Sequence, residues 1–315
     1  RLPSDGESLP RTFNASYEIK GKLPYLQNFP VIGAPELKGS FATRGDIRKN
    51  GDLYAGKGQL SYEGVLYEGY EIGTGTLNFA LDKRRVDFTQ VALKYGGGDF
   101  KSNKFQLELT EHFPLTGEFN VHGLTLEGVL RGVGVERPQV AMEATGKIKV
   151  NATLAGPFEI KAALDSKIAD LVVIDDADKP KGGANNLIEF GGGFLKGLLT
   201  FSLTKMDFDA ESNLLGGPVK AKGFIGFDDT SRVSVVSENT SLTQMARIAN
   251  LELAGTGKLN AEVVVNGDDA HVTGGFEVQG AKVAGLELGV VSGEAFYQGL
   301  LLTFENLLLP SLEPV

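Results

Sequence analysis

The sequence predicts an all-β protein: a long repetitive antiparallel sheet curled on itself, with a few short helices. Three observations predict it. First, Gly146-Lys-Ile-Lys-Val-Asn-Ala-Thr-Leu-Ala-Gly156 alternates strictly, with Ile148, Val150, Ala152 and Leu154 on one face and Lys147, Lys149, Asn151 and Thr153 on the other. That period of two belongs to a half-buried strand, because successive Cβ atoms point to opposite faces of a sheet. Second, the stretch returns in altered form as Gly257-Lys-Leu-Asn-Ala-Glu-Val-Val-Val-Asn-Gly267, where Leu259, Ala261, Val263 and Val265 take the apolar face. The glycines that open and close both copies read as turn punctuation. Third, 42 glycines against 12 prolines in 315 residues suit many strands joined by tight turns.

The remaining composition mostly excludes. Cysteine is absent, so there is no disulfide framework, no thiolate nucleophile and no cysteine-based zinc site. The formal net charge of −9 leaves no excess of cations to replace phosphate counterions, which sets nucleic acid aside as a partner. No stretch resembles a signal peptide, and no apolar run approaches the ~20 residues of a membrane-spanning helix. Arg1 at the start and Glu313-Pro-Val315 at the end read as cuts from a longer protein, with any membrane anchor outside this segment.

Taken in order, residues 1–35 are an irregular lead-in, broken by Pro3, Pro10, Pro24, Pro30 and Pro35, in which only Phe13–Ile19 alternates. Strands then follow at Gly56–Gly64, at Gly75–Asp82 with Leu77, Phe79 and Leu81 on its apolar face, and at Val86–Phe88. Gly96-Gly-Gly-Asp99 turns the chain, and Phe105, Leu107 and Leu109 alternate with Gln106 and Glu108. Leu126, Val129, Leu130 and Val133 stand at helical spacing and predict a short helix. After Gly146–Gly156 come strands at 160–164 and 168–174, an acidic glycine-rich loop at 175–184, and strands at Leu198–Leu203 (with Phe201), 219–227 and 233–236. Ser241–Ala249 predicts a second helix with Ser241 as its N-cap.

The pattern repeats at long range. Gly146 and Gly257 are 111 apart, Phe88 and Phe201 are 113 apart, and Phe88 and Phe304 are 216 apart. Two full rounds and part of a third follow, approximately 36–142, 143–252 and 253–315. A sheet with one apolar face must bury that face, and with so few helices the faces must cover each other. A sandwich, a closed barrel or one curled sheet all satisfy this. Roughly 25 short strands in series exceed the usual open twisted sheet, which favours curling. Each fully buried Leu, Ile or Val contributes ~1.5–3 kcal/mol, so folding needs no metal or disulfide, and no cofactor is expected. Small inward residues such as Ala152 and Ala261 leave space inside.

These features together resemble the AsmA-like/TamB superfamily of bacterial envelope proteins. The resemblance rests on the Gly-Lys openings, the runs of alternating residues between glycines, phrases such as Gly223-Phe-Ile-Gly-Phe227 and Phe304-Glu-Asn-Leu-Leu308, and short helices between rounds. It covers about residues 36–309 and is one of texture rather than of a sharp motif. It implies a sheet bent lengthwise into a taco-shaped groove lined with apolar side chains. It further implies a periplasmic location in a Gram-negative bacterium, and an inner-membrane anchor outside this segment. The expected function is conduction of phospholipid acyl chains toward the outer membrane, in support of outer-membrane biogenesis. An outer-membrane barrel protein of the Omp85 class is an expected partner. The groove would be lined by Leu77, Phe79, Leu81, Phe105, Leu107, Leu109, Ile148, Val150, Leu154, Phe201, Leu259, Val263 and Val265.

No motif predicts catalysis. His112 and His122 are ten apart, which is no metal-ligand spacing, and the Asp-rich stretches at 175–178, 228–229 and 268–269 lack a calcium-loop pattern. Gly96–Asp99 and Gly191–Gly193 are followed by no Gly-Lys-Ser/Thr opening a helix. The competing readings are a structural or adhesive cell-surface β-repeat protein with a packed core, and a glycan-active β-helix enzyme. The dispersed acids argue against the second. The absence of tryptophan and of an aromatic girdle argues against an outer-membrane barrel.

Overall fold

The structure is a computed structural model. It describes residues 11–24, 37–67, 70–132, 140–156, 158–174, 178–179, 182, 185–214, 216–226, 228, 230–241, 253–267, 269–283, 285–298 and 301–308. Among these, nineteen strands and one short helix are present, and the strands belong to one antiparallel sheet. The chain divides into two compact units. One holds β1 to β8, most of α1 and the end of the ninth strand; the other holds the start of that strand and everything after it.

In the first unit, β1 (Thr12–Lys22), β2 (Leu37–Asn50), β3 (Leu53–Tyr67), β4 (Tyr70–Asp82) and β5 (Arg85–Tyr95) pair in sequence order. β6 (Gly98–Ser102) and β7 (Phe105–Glu108) then pair with opposite ends of β5, and β8 (Pro114–Thr125) runs back along both. The predicted first helix is α1 (Leu126–Gly132), with Glu127 in its first turn and Arg131 in its last, as the helix dipole prefers. Gly128 is tolerated inside it because the helix rests on the β5–β6 turn. A Cβ there would meet the Gly96 carbonyl oxygen at 2.5 Å.

In the second unit, β9 (Val140–Thr153) pairs with β10 (Glu159–Ile174). β10 also pairs with β11 (Asn186–Phe190) and β12 (Gly193–Phe201). From β12 each strand pairs with the next: β13 (Lys205–Ser212), β14 (Val219–Gly226), β15 (Thr230–Ser241), β16 (Leu253–Asn266), β17 (Asp269–Val283), β18 (Leu286–Gln298) and β19 (Leu301–Leu308).

Three strands occur twice with one blueprint, and a fourth, β5, shares its start with β19. β2, β3 and β4 have the same bounds as β16, β17 and β18 once shifted by 216 residues (253 − 37). The left-handed backbone positions shift with them: Gly39 and Gly255, Gly51 and Gly267, Gly64 and Gly280, Gly73 and Gly289, Gln90 and Asn306. Several mark register shifts, where an extra residue bends a strand without ending it. This explains why strands are fewer and longer than the sequence pattern predicts, reaching 16 residues in β10. Gly64 and Gly73, which resemble turn signals, bend β3 and β4 in mid-course.

The opening glycines also need correction. Gly146 lies inside β9 and Gly257 inside β16, opposite Val278, so neither starts a turn. A Cβ at Gly146 would meet Ser166 Cβ at 2.7 Å, so close approach of the neighbouring strand is what requires glycine there. The closing glycines, Gly156 and Gly267, have φ of 82° and 59° and do make turns. Ser241 ends β15, and residues 242–249 of the second predicted helix lie outside the described residues. Most of the acidic 175–184 loop lies outside them too.

Full burial is scarce. Ala141, Val172 and Ile174 form one tight cluster in the second unit, and Val278, Ala281 and Val291 form another, with Phe276 and Leu288 against it. In the first unit Val65, Val91, Phe105, Val121 and Ala152 are buried. Among the described residues no buried side-chain nitrogen or oxygen lacks a hydrogen-bond partner. Buried Ser237, for example, donates to the Pro218 carbonyl and accepts from the Thr240 hydroxyl.

Candidate functional site

Strand register assembles the alternating residues into continuous apolar rows. In the first unit Tyr17, Gly45, Gly58, Phe79, Phe88, Phe105 and Gly117 are cross-strand partners in succession over seven strands. A neighbouring row runs Gly21, Phe41, Tyr62, Gly75, Leu93, Phe100 and Val121. Another runs Ala15, Ile47, Gly56, Leu81, Val86, Leu107 and Leu115. The opposite face carries the charges, paired across strands: Ser16 with Asp46, Arg44 with Gln59, Gln106 with Asp87, and Lys149 with Glu118.

Rings and glycines alternate in these rows for a steric reason. A Cβ at Gly75 would stand 2.8 Å from both Cε1 and Cζ of Tyr62 and 2.6 Å from Leu93 Cδ2. A Cβ at Gly21 would meet Phe41 Cε1 at 3.2 Å, one at Gly58 would meet Phe79 Cζ at 2.7 Å, and one at Gly117 would fall into the Phe105 ring. Each ring leans across onto the glycine of its partner strand, the known way for an aromatic side chain to cover a glycine gap in a sheet. Phe105 also packs on Phe119, ring centroids 4.8 Å apart. Burial raises the Tyr62 phenol pKa above its ordinary value; burial, and then the charge of Glu71, raise that of Tyr95. A hollow of about 870 Å³ lies on the opposite, charged face of this unit, over the row of small residues Ala42, Ser61, Thr76 and Ala92, with Lys20, Glu63, Lys94, Asp99 and Lys101 around it.

In the second unit the rows carry fewer rings, and one of them alternates with serine. Ala162, Leu199, Phe208, Gly223, Val233, Val263 and Val272 form one. Ser166, Leu195, Ser212, Val219, Ser237, Leu259 and Phe276 form another. Between them lies Leu164, Gly197, Ala210, Ala221, Val235, Ala261, Gly274 and Ala295, a row of mostly small residues crossing eight strands. At ~4.8 Å per strand it is roughly 34 Å long. All eight residues are half-buried.

The structure puts most of the sequence-predicted residues on apolar strand faces, while Leu109 and Leu154 lie beyond strand ends. Leu77, Phe79 and Leu81 stand on β4, and Phe105 and Leu107 on β7. Leu109 follows β7, its amide donating to the Arg84 carbonyl. Val150 lies at the end of β9, on the side away from the Lys149–Glu118 pair, and Leu154 just beyond it is exposed. In the second unit Phe201 pairs with Ile160, and Leu259, Val263 and Val265 share one face of β16. Ile148 sits two residues from Gly146, on the face of Ser166. Sequence reasoning missed the glycines as partners of the rings, as well as Tyr17, Phe41 and Tyr62. Their parity within β1, β2 and β3 was the available signal.

Among the described residues no group of three or more His, Asp or Glu could hold a metal ion, and no helix is long and apolar enough to cross a membrane. His112 and His122 are exposed, and His271 is half-buried on β17. Asp228 accepts from the Thr230 hydroxyl and amide, which holds its carboxyl below the usual range within a turn. Comparison with family models, with curated proteins and with solved structures returns no match.

Proposed function

We propose that this chain is a lipid-conducting segment: its apolar strand faces shield phospholipid acyl chains from water while its charged faces meet solvent. The observation that carries this reading is the small-residue row from Leu164 to Ala295, half-buried, with a bulkier apolar row on one side and a row alternating serine with Leu195, Val219 and Leu259 on the other. Its roughly 34 Å exceeds the ~15 Å that one acyl chain occupies in half of a bilayer core. Each methylene kept from water is worth ~0.8 kcal/mol, so a continuous apolar track lowers the cost of moving a lipid through water. Repetition favours transit over storage, because equivalent positions in series offer no deep trap. The resemblance to the AsmA-like/TamB superfamily supports the same function. It would place the segment in the periplasm, behind an inner-membrane anchor and facing an Omp85-class partner.

The test is native mass spectrometry of the purified chain, together with a photo-crosslinking residue at Val150 in one unit and Val263 in the other. Lys149 and Lys258, on the charged faces, serve as controls. Co-purified phospholipid, crosslinked at Val150 and Val263 but not at the lysines, is the expected result. Absence of captured lipid at every position would favour the structural β-repeat reading instead.

A further inference from the structure

The turns at one end of the first unit's strands are tied into a continuous rim by backbone hydrogen bonds. The Gly51 amide donates to the Arg11 carbonyl, Lys83 to Tyr54, Leu109 to Arg84, and Leu154 and Ala155 both to His112. Each turn is held by the one beside it, so side chains on the rim stand out from a fixed frame. Among the described residues of this unit, the exposed large apolar side chains are Ile19, Leu53, Phe113 and Leu154. Ile19 is on β1; the other three all stand on this rim. The opposite rim differs. There α1 rests on the β5–β6 turn, and Leu124 and Val129 are half-buried beside Gly96.

Cations gather next to Leu53. Residues 48–53 and 82–87, at the β2–β3 and β4–β5 turns, hold five cations (Arg48, Lys49, Lys83, Arg84 and Arg85) against three carboxylates (Asp52, Asp82 and Asp87). This is a local excess of cations on a chain whose net charge is −9. Arg85 pairs with Asp87, while among the described residues no ion pair forms at Arg48, Lys49, Lys83 or Arg84. Arg48 and Lys49 are successive in β2 and so lie on opposite faces of the sheet, with Lys49 5.6 Å from the centre of the Tyr54 ring. Cations on both faces suit a surface that the rim meets edge-on. The turn before Phe113 is acidic, with Glu108 and Glu111, so the two basic turns lead the contact.

The fold does not ask for this chemistry. In the second copy of the blueprint, 216 residues on, Arg48 and Lys49 answer to Val264 and Val265, and Leu53 to Asp269. Lys83, Arg84 and Arg85 answer to Gly299, Leu300 and Leu301. The strand bounds are the same with either set, so the cations and Leu53 are not needed to make the turns.

We propose that this rim is a docking edge for the surface of an anionic phospholipid bilayer: Leu53, Phe113 and Leu154 enter the interface while the cations of the two basic turns meet the headgroup phosphates. Apolar burial and the attraction of Lys and Arg to anionic headgroups add at such an interface. The hydrogen-bonded frame holds the turns in place before contact, so little ordering entropy is lost. Docking goes beyond lipid conduction and does not depend on it, since a rim can bind a bilayer whether or not the sheet carries lipid.

The test is flotation of the full chain with vesicles of phosphatidylethanolamine and phosphatidylglycerol, and with vesicles of phosphatidylcholine alone. Circular dichroism checks the strand content of each variant. Wild type should float with the anionic vesicles, and less so as salt is raised. One Lys or Arg at an anionic surface is worth about fivefold in affinity, so Lys83→Glu with Arg84→Glu should lower binding about 25-fold or more. Lys101→Glu with Lys104→Glu, the same change of charge away from the rim, should lower it by less than about fivefold. Leu53→Asp installs the second copy's residue and should weaken binding about tenfold. The chain has no tryptophan, so Leu53→Trp supplies a single reporter, whose emission should be quenched by brominated acyl chains in anionic vesicles. Gln59→Trp, on the charged face away from the rim, should stay unquenched. Flotation no better with anionic than with phosphatidylcholine vesicles, equal losses from the two double charge reversals, or an unquenched Leu53→Trp would each overturn docking. All of these leave retention of co-purified phospholipid, the readout for conduction, untouched.

Discussion

β2–β4 and β16–β18 share strand bounds and left-handed positions, yet ring-on-glycine and aliphatic pairs fall in different places: Tyr62 with Gly75 answers to Val278 with Val291, and Leu60 with Leu77 to Phe276 with Gly293. The shared blueprint teaches that bulge positions and alternation define this sheet. The difference teaches that side-chain identity is free as long as each cross-strand pair fills its space. It also predicts different weaknesses. A ring-on-glycine pair concentrates its contact area in one side chain, while an aliphatic pair divides it between two.

The largest effect should come from removing a ring. Phe105→Ala strips the cover from Gly117 and the contact with Phe119, and should cost about 3 kcal/mol in urea unfolding. A loss below about 1 kcal/mol would mean that the rings of the first unit carry little of its stability. Next is Val172→Ala at the fully buried centre of the Ala141–Val172–Ile174 cluster, expected to cost about 2 kcal/mol through lost burial and a residual cavity. If it exceeds Phe105→Ala, the supposed contrast between ring-on-glycine and aliphatic packing is reversed.

The volume-pair rule can be tested directly on stability. Leu60→Phe with Leu77→Gly installs the second copy's pair in the first, and should cost no more than about 1.5 kcal/mol. Leu77→Gly alone should cost more than the double substitution, and additive losses would break the rule. The smallest effect concerns pH. The Tyr62 phenol pKa is raised by burial above the ordinary value of about 10. Its favourable contribution is complete below that ordinary value and is lost as pH rises through the raised one. Phenolate absorbance should therefore show one tyrosine fewer titrating late in Tyr62→Phe than in wild type. Stability should also fall less steeply at alkaline pH in that variant. Val278, at the matching position, carries no such dependence.

Much of the fold was legible because alternation is a local property. Leu77, Phe79 and Leu81 read as one face from their spacing alone, and α1 read from Leu126, Val129 and Leu130. The pairing of Tyr62 with Gly75 was not legible. It depends on which residues turn between β3 and β4, which neither strand's own pattern specifies; the irregularities at Gly64 and Gly73 cancel, so Tyr62 and Gly75 keep the register of Tyr67 with Tyr70. The same ambiguity misassigned Gly146 and Gly257. A glycine before a charged residue looks alike whether it turns the chain or admits a neighbouring strand, and only the partner strand distinguishes the two. The small-residue row was hidden for a related reason. Gly197, Ala210, Ala221 and Ala261 are scattered through the sequence and become a line only through four separate registers.

The succession of ladders from β12 to β19 has a kinetic consequence. Each of these strands finds its partner in the strand just before it, so no pairing waits for a distant part of the chain. Loop-closure entropy is settled one hairpin at a time, on the order of 1–10 μs for each such event. A chain delivered from its N-terminus, threaded through a pore or leaving a ribosome, can therefore lengthen its sheet as it emerges. Each new strand covers the open edge that its predecessor exposed, and the time any one edge is available for misassociation stays short.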